Sequence, residues 1–223
     1  MDDVHELLRS VDAVLFDFDG PMCSVFSGYP APRVAREMLD FLRTEGVELS
    51  VSIASEDDPM EVLRWTDAFH PRLTADIDDL LCQAESLAVE TAKPTSSADS
   101  AVSSARRRGQ AVAVVSNNSP DAIMKYLAAH ELDSFVQFVF GRAYAEPKLM
   151  KPNPDVVVRA INALGIRPEL AVLVGDTVTD VEASLSAGVH SIGYATKEQR
   201  RIQLGAAGAE MVIDDMGKLA LVE

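Results

Sequence analysis

The stretch VLFDFDGPM at residues 14–22 constrains the fold more than any other part of the 223-residue sequence. Its large apolar residues form a short run that is typical of a buried strand, and Gly20-Pro21 ends that run. Two acids, Asp17 and Asp19, stand two positions apart at the end of the strand. This combination indicates a rigid strand that carries chemical groups at its carboxyl end.

The rest of the chain alternates between short apolar runs and helical patterns. Residues 110–119 and 170–176 predict two more buried strands that end in small or polar residues. Further strands are predicted at 135–141, 189–195 and 210–214, and helices at 3–9, 97–108, 119–130, 153–165, 177–188 and 197–206. This alternation is typical of βαβ units and predicts an α/β fold with a parallel sheet covered by helices.

Roughly 70 residues separate the first strand from this alternating part, and such a length is too great for a loop. They predict a mostly helical inserted module, with helices over 31–46, 58–69 and 73–92. Residues 47–55 are predicted as a strand or an extended connector, and 92–97 as a candidate hinge. Trp65 and Phe69, one helical turn apart, are expected in the core of the module. We therefore divide the chain into a core domain (1–22 and 95–223) and a flap with a helical cap (23–94).

The composition excludes several classes of partner. The formal net charge is −15, which argues against nucleic acid because affinity for phosphates depends on Lys and Arg. No apolar run reaches the roughly 18–20 residues needed to span a bilayer. The acidic N-terminus predicts no secretory signal, and Cys23 and Cys82 lack metal-ligand spacing. We expect a cytoplasmic protein with reduced thiols.

Polar groups follow the predicted strands at the edge where a parallel α/β sheet binds ligands. They are Asp17 and Asp19, Ser116-Asn117-Asn118, and Asp176 with Asp180; Lys151 lies in a neighbouring loop. Each has an ordinary explanation as a turn, cap or surface residue. Their joint placement at one edge of one sheet favours a site.

These side chains suit phosphoryl transfer. Three aspartates supply the oxygen ligands that Mg²⁺ prefers. One carboxylate can attack phosphorus while a neighbouring acid protonates the leaving oxygen and then activates water. Ser116 and Lys151 can donate hydrogen bonds and charge to the phosphoryl oxygens.

The order DxDG, an apolar strand ending in Ser, Lys-Pro, and GDxxxD resembles the haloacid dehalogenase (HAD) superfamily, in its phosphoglycolate-phosphatase-like branch. The resemblance covers nearly the whole chain and implies a Rossmann-like core with an inserted helical cap. It implies that Asp17 is the nucleophile and a Mg²⁺ ligand, and that Asp19 is the general acid/base, whose backbone carbonyl also binds the metal. It implies that Lys151 is the cation that stabilises the nucleophile and the phosphoryl charge. The implied substrate-binding residues are Ser116, Asn117 and Gly20, and the further metal-site carboxylates are Asp176 and Asp180.

The interpretation that follows is a Mg²⁺-dependent phosphatase for a small-molecule phosphate monoester, acting as a monomer or homodimer. A phosphomutase of the β-phosphoglucomutase type shares the core motifs, and a non-catalytic HAD-fold binding or regulatory module is a third interpretation. Dehalogenases resembling this fold lack an acid at the position of Asp19, so that residue disfavours carbon–halogen cleavage. Pro21 departs from the usual residue after DxDG and leaves the flap geometry open.

Basic residues in the Lys-Pro loop and in the cap are further candidates for the site. The Lys-Pro-Asn-Pro context favours Lys151 over Lys148 as the lysine of the site. In the cap, several side chains could hold a second anionic group of the substrate, although each is also an ordinary solvated helix residue: Arg33, Arg36, Arg64, His70 and Arg72.

Overall fold

A parallel sheet forms the centre of the chain, as the alternating pattern predicts. The computed structural model describes residues 2–220 and contains the strands β1 (Ala13–Phe16), β2 (Cys23–Ser24), β3 (Lys93–Pro94), β4 (Ala111–Val115), β5 (Phe138–Phe140), β6 (Ala171–Gly175), β7 (His190–Tyr194) and β8 (Met211–Ile213). Six of them form one parallel sheet in the order β5-β4-β1-β6-β7-β8. The predicted Rossmann-like α/β fold is confirmed.

The central strand β1 pairs with β4 on one side and β6 on the other. Phe16, its last residue, lies opposite Val114 of β4 and Val174 of β6, so the three strands end at nearly the same level. The chain fills the β4–β5 side of β1 first and then crosses to β6 on the other side. Such a switch in strand order opens a crevice at the carboxyl ends of the strands.

Helices cover both faces of the sheet. The helices are α1 (Asp2–Ser10), α2 (Ala31–Thr44), α3 (Val51–Ala54), α4 (Pro59–Phe69), α5 (Thr74–Ala88), α6 (Ala98–Arg107), α7 (Pro120–Ala129), α8 (Asp155–Leu164), α9 (Val178–Ala187) and α10 (Glu198–Ala207). Val14 and Phe16 of β1 pack into a core with residues of α1, α6 and α7. Ala13 and Leu15, on the opposite face, pack with residues of α8 and α9. The strand is therefore buried on both faces, which explains its continuous apolar sequence.

The inserted helices have a hydrophobic core of their own. Its buried residues come from α2 (Val34, Ala35, Met38, Leu39, Leu42), α4 (Val62, Leu63) and α5 (Ile77, Leu81, Ala84), with Val47, Ile53, Leu73 and Met150 added. The chain leaves the sheet domain through β2 and returns through β3, and these two short strands pair antiparallel. The predicted boundaries at 22/23 and 94/95 fall at this pair and stay a prediction. Residues 1 and 221–223 of the predicted core domain lie outside the described residues.

Two expectations for the cap are wrong. The pattern of residues 47–55 predicts a strand or an extended connector, but Val51–Ala54 form the short helix α3. A strand would place Val51 and Ile53 on one face, but Ile53 packs in the cap core while Val51 is 90% exposed. Helical spacing places Phe69 in the cap core, but its side chain is 66% exposed at the end of α4, where its ring contacts that of Trp65. Trp65 packs against the cap core.

Local signals at helix ends agree with the structure. Asp58 caps α4 by accepting a hydrogen bond from Met60 N at 2.8 Å, and Pro59 occupies the first helical position.

Within residues 2–220, no helix combines the length and apolar character that crossing a bilayer requires. Cys23 and Cys82 are free thiols.

Candidate active site

Most of the predicted site residues lie together at the carboxyl end of the central strands. Asp17 directly follows β1, Ser116 follows β4, and Asp176 follows β6. Lys151 reaches the same place from the loop before α8. The side chains line one cavity of about 950 Å³, which opens between the sheet domain and the cap.

Asp17 is buried and held in one orientation. Its Oδ1 accepts a hydrogen bond from Phe18 N at 2.7 Å and pairs with Lys151 Nζ at 2.9 Å. Burial raises the pKa of this carboxyl to about 7; the negative charge of Asp180 adds to the effect and Lys151 opposes it. The ionised carboxylate is therefore costly here unless positive charge is nearby.

Lys151 is the lysine that reaches the cavity. Its side chain is 2% exposed, and Nζ lies 2.9 Å from Asp17 Oδ1, 2.5 Å from Asp180 Oδ1 and 3.2 Å from Val115 O. Burial alone lowers the pKa of an ammonium group, but the two carboxylates outweigh it and raise the pKa of Lys151. Lys148 is instead 76% exposed and pairs with Asp67.

Asp176 sits close against the turn after β1. Gly20 has φ +103°, and a Cβ added there would lie 2.5 Å from Asp176 Cγ. A side chain at position 20 would thus displace the carboxylate, which explains the glycine. Burial first, and then the charges of Asp17 and Asp180, raise the pKa of Asp176 to about 8, while Arg200 opposes the shift. Gly20 itself lines the cavity through its backbone.

Both carboxylate oxygens of Asp180 contact neighbouring polar groups. Oδ1 pairs with Lys151, and Oδ2 accepts from Thr177 N at 3.0 Å and from Thr177 Oγ1 at 2.7 Å. The Thr177 contacts belong to a capping box at the start of α9. Asp180 therefore positions Lys151 and the turn after β6.

Asp19 lines the cavity beside the other acids. Its Oδ1 accepts a hydrogen bond from Val25 N at 2.9 Å, which holds the flap segment against the carboxylate. Burial raises the pKa of Asp19, and the Val25 hydrogen bond partly opposes this. This carboxyl retains a proton more readily than an exposed aspartate does.

The Ser116-Asn117-Asn118 turn forms the wall next to Lys151. Ser116 Oγ donates to Asn118 Oδ1 at 3.1 Å. Asn117 is predicted as a substrate-binding residue, and its amide is engaged by the backbone of Lys151: Oδ1 accepts from Lys151 N at 2.8 Å, and Nδ2 donates to Lys151 O at 3.3 Å. Asn117 lines the cavity and also fixes the loop that carries Lys151.

The acids fit a divalent cation. Carboxylate oxygens of Asp17, Asp176 and Asp180 lie within 4.8 Å of one another. Mg²⁺ takes oxygen ligands and keeps several waters, and its charge would offset both the burial and the repulsion that raise the pKa values of Asp17 and Asp176. Since both oxygens of Asp180 already contact Lys151 or Thr177, the first two acids fit direct ligation better. Ligation by the Asp19 carbonyl stays a prediction.

The cap contributes one of the basic residues expected from its sequence. Arg64 lines the cavity, and its Nη2 donates to Lys151 O at 2.7 Å, across the boundary between the cap and the sheet domain. The other four candidates are not among the described residues that line the cavity: Arg33, Arg36, His70 and Arg72.

Several lining residues escape the sequence analysis. Arg200 lies near the start of α10, shortly after β7 of the same sheet. This position after a strand is a sequence signal that could have identified Arg200 as a candidate site residue. The acids of the cap wall carry no motif and look like an ordinary helix start: Glu56, Asp57, Asp58 and Glu61.

A buried group of charges outside the cavity also escapes the sequence analysis. It consists of Asp78, Glu85 and Arg142. Its sequence signal is the placement of two acids seven residues apart, on the apolar face of α5.

A comparison with protein families agrees with this geometry. The family model of the haloacid dehalogenase-like hydrolases matches residues 11–188. The chain belongs to this family. The resemblance inferred from four sequence motifs is thereby confirmed.

Two curated relatives of this haloacid dehalogenase-like hydrolase have names that state an activity. Phosphoglycolate phosphatase of Pseudomonas putida is 25% identical over 114 residues, which are 51% of this chain and 41% of the relative. Pyrophosphatase PpaX of Halalkalibacterium halodurans is 32% identical over 98 residues, which are 43% of this chain and 45% of the relative. The chain spans less than half the length of each of these relatives.

A solved structure shows the same fold over most of the chain. The protein, described as a predicted phosphatase from Clostridium acetobutylicum, has a TM-score of 0.71 and 18% sequence identity. The match covers 94% of this haloacid dehalogenase-like hydrolase and 96% of that structure. At this identity the similarity concerns the fold.

Proposed function

We propose that the protein is a Mg²⁺-dependent phosphatase that hydrolyses a small-molecule phosphate monoester through an aspartyl-phosphate on Asp17. The observation that carries the proposal is the contact between Asp17 Oδ1 and Lys151 Nζ at 2.9 Å, in the wall of the cavity. A carboxylate that is fixed by a buried cation beside further acids suits nucleophilic attack on phosphorus. The names of the two curated relatives support the reaction class.

In the first half of the reaction, an Asp17 oxygen attacks phosphorus and the bond from phosphorus to the leaving oxygen breaks. Asp19 gives its proton to that oxygen, and burial supports this role because it raises the pKa of Asp19. Lys151 and the Ser116 hydroxyl lie where they can stabilise the phosphoryl oxygens.

In the second half, Asp19 takes a proton from water, and the water oxygen attacks phosphorus. Inorganic phosphate leaves, and the Asp17 carboxylate is regenerated, so the enzyme returns to its starting state. The cap lines the cavity on the side of Pro59 and Arg64, where a closer approach of the cap would limit the access of other water.

Asp17 and Asp176 would hold the Mg²⁺ ion, with Asp180 supporting the site through Lys151. Bound there, the ion supplies positive charge that stabilises the phosphoryl group in the transition state.

The cap wall constrains the substrate. Four of its cavity-lining residues are acids, Glu56, Asp57, Asp58 and Glu61, whereas Arg64 is the basic residue on that wall. A second carboxylate or phosphate on the substrate would approach this negative wall. We therefore expect esters with a neutral or cationic leaving group to be preferred over phosphoglycolate and pyrophosphate.

The experiment is to measure phosphate release from a panel of esters, with Mg²⁺ and with EDTA. The panel pairs sugar phosphates and an amino-alcohol phosphate with phosphoglycolate, pyrophosphate and nucleotides. Release that requires Mg²⁺ and disappears in Asp17→Asn supports the proposal; unchanged Mg²⁺-dependent turnover in Asp17→Asn refutes it. Transfer of the phosphoryl group to a second sugar hydroxyl, without release, identifies a phosphomutase instead. The cytoplasmic location and the monomeric or homodimeric state stay predictions.

A further inference from the structure

A second group of buried charges joins the cap to the sheet domain. Arg142, in the segment after β5, pairs with Asp78 and Glu85 of the cap helix α5. The nearest distances are 2.7 Å to Asp78 Oδ1 and 3.0 Å to Glu85 Oε1, and the three side chains are at most 1% exposed. Burial alone lowers the pKa of a guanidinium, but the two carboxylates outweigh it and raise the pKa of Arg142.

Glu85 is surrounded by hydrogen-bond donors. Oε1 accepts from Asn118 Nδ2 at 3.0 Å and from Arg142 Nη1 at 3.0 Å. Oε2 accepts from Ser119 N at 3.0 Å and from Arg142 Nη2 at 3.2 Å. Since each of these neighbours is a donor, an ionised carboxylate satisfies all four, and an amide at this position would set a donor against a donor.

This arrangement determines how the Asn118 amide is turned. A carboxylate only accepts, so the NH₂ group of Asn118 must face Glu85 and its carbonyl oxygen must face Ser116. Ser116 Oγ donates to that carbonyl at 3.1 Å and accepts from Asn118 N at 3.3 Å. Arg142 Nη1 also donates to Asn117 O at 2.7 Å, which holds the backbone of the same turn.

We propose that Glu85, held by Arg142, is a positioning residue that acts through Asn118 to place the Ser116 hydroxyl for a phosphoryl oxygen. The inference rests on the proposed phosphatase function. The two bonds to Asn118 keep the Oγ atom in place between two acceptors, the Asn118 carbonyl and the Asp17 carboxyl. An anionic phosphoryl oxygen is a stronger acceptor, so the proton turns toward it by rotation about the Cβ–Oγ bond. One element of the cap thus orders a residue of the phosphate site.

The test compares Asn118→Ala, Glu85→Gln, Ser116→Ala and the double variants with Ser116→Ala. The full-length protein with Mg²⁺ is titrated with inorganic phosphate by calorimetry, and kcat, KM and the melting temperature are measured separately. Glu90→Gln is the matched control, since it removes the same charge from a surface pair between the cap and Lys125 at 2.6 Å. Asn118→Ala keeps all buried charges and answers the question if Glu85→Gln does not fold.

We expect Asn118→Ala and Glu85→Gln each to weaken phosphate binding by about tenfold, the effect of one misplaced hydrogen bond to an anion. Neither should weaken it further in the Ser116→Ala background, because both act through that hydroxyl. Glu90→Gln should bind phosphate like the wild type.

Additive effects in the double variants overturn the proposal, as does a lowered melting temperature with unchanged phosphate affinity. Equal weakening in Glu90→Gln also overturns it, because the effect would then belong to the cap contact in general. If phosphate binds as expected but no ester is hydrolysed, the proposed function fails and the positioning role stands. If the wild type does not bind phosphate, both fail.

Discussion

Replacing Gly20 with alanine tests whether the turn after β1 sets the position of Asp176. The added Cβ would lie 2.5 Å from Asp176 Cγ and 2.7 Å from both carboxylate oxygens. Since non-bonded carbon atoms rest about 3.5–4.0 Å apart, the carboxylate must move by about 1 Å. A displacement of this size in a reacting site costs about 100-fold in rate. We expect a loss of about that size in kcat/KM, together with weaker Mg²⁺ binding.

Gly109→Ala is the matched control for the backbone effect. Gly109 has φ +81°, comparable to the +103° of Gly20, but a Cβ added at Gly109 would meet no described atom within 4 Å beyond its own chain neighbours. Both variants should lose roughly 1–2 kcal/mol from the positive φ, which lowers the melting temperature by roughly 2–8 °C. Only Gly20→Ala should also lose the stabilisation by Mg²⁺.

The assay combines thermal denaturation over a Mg²⁺ titration with steady-state hydrolysis of the ester chosen from the panel. If Gly20→Ala keeps the Mg²⁺ affinity and kcat/KM of the wild type, the turn does not set the position of Asp176. If Gly109→Ala loses as much activity as Gly20→Ala, the steric contact with Asp176 is not the cause of the loss.

Lys151, Asp176 and Arg64 lead to three further predictions. Lys151→Met leaves two buried carboxylates without their cation, so turnover should vanish and the free energy of unfolding should fall by about 3–5 kcal/mol. Lys148→Met at the surface should change neither quantity, and equal losses in the two variants contradict the prediction. Between about pH 4 and pH 8 the folded state binds a proton on Asp176, with pKa about 8, that the unfolded chain with its ordinary value of 3.8 does not. The metal-free melting temperature should therefore fall as pH rises through this window. Asp176→Asn should reduce the slope and leave the part due to Asp17, whose pKa is about 7; a wild-type profile that rises argues against the raised pKa. Arg64→Ala removes the 2.7 Å hydrogen bond to Lys151 O and should raise KM several-fold. Arg72→Ala is the control because Arg72 is not among the described residues that line the cavity, and it should leave KM unchanged. Identical KM values in the two variants contradict a role for Arg64.

The part of the site that lies on the sheet could be predicted because its signals are local. Asp17, Ser116 and Asp176 each end an apolar run, and parallel strands bring their carboxyl ends to one edge. The strand, its end and the polar residue after it are adjacent in the sequence. No knowledge of packing is needed to place them together.

The buried network of Glu85 and Arg142 could not be predicted in this way. The two residues lie in different predicted domains, and their pairing depends on how α5 docks against the turn after β4. A charged residue on an apolar helix face indicates that a partner exists, but not which one. The exposure of Phe69 escapes prediction for a related reason, since helical spacing identifies a face and the packing of the cap decides where that face ends.

The docking of α5 has a consequence for how enzymes of this kind diversify. The acids of α5 and the guanidinium after β5 satisfy one another only as a set, so a cap exchanged between two relatives without its matching core residue would bury unpaired charge. The acidic wall at residues 56–61 lines open cavity and can change one side chain at a time. We therefore expect accepted substitutions to concentrate on the α4 side of the cavity, while the turn at residues 116–118 keeps its geometry.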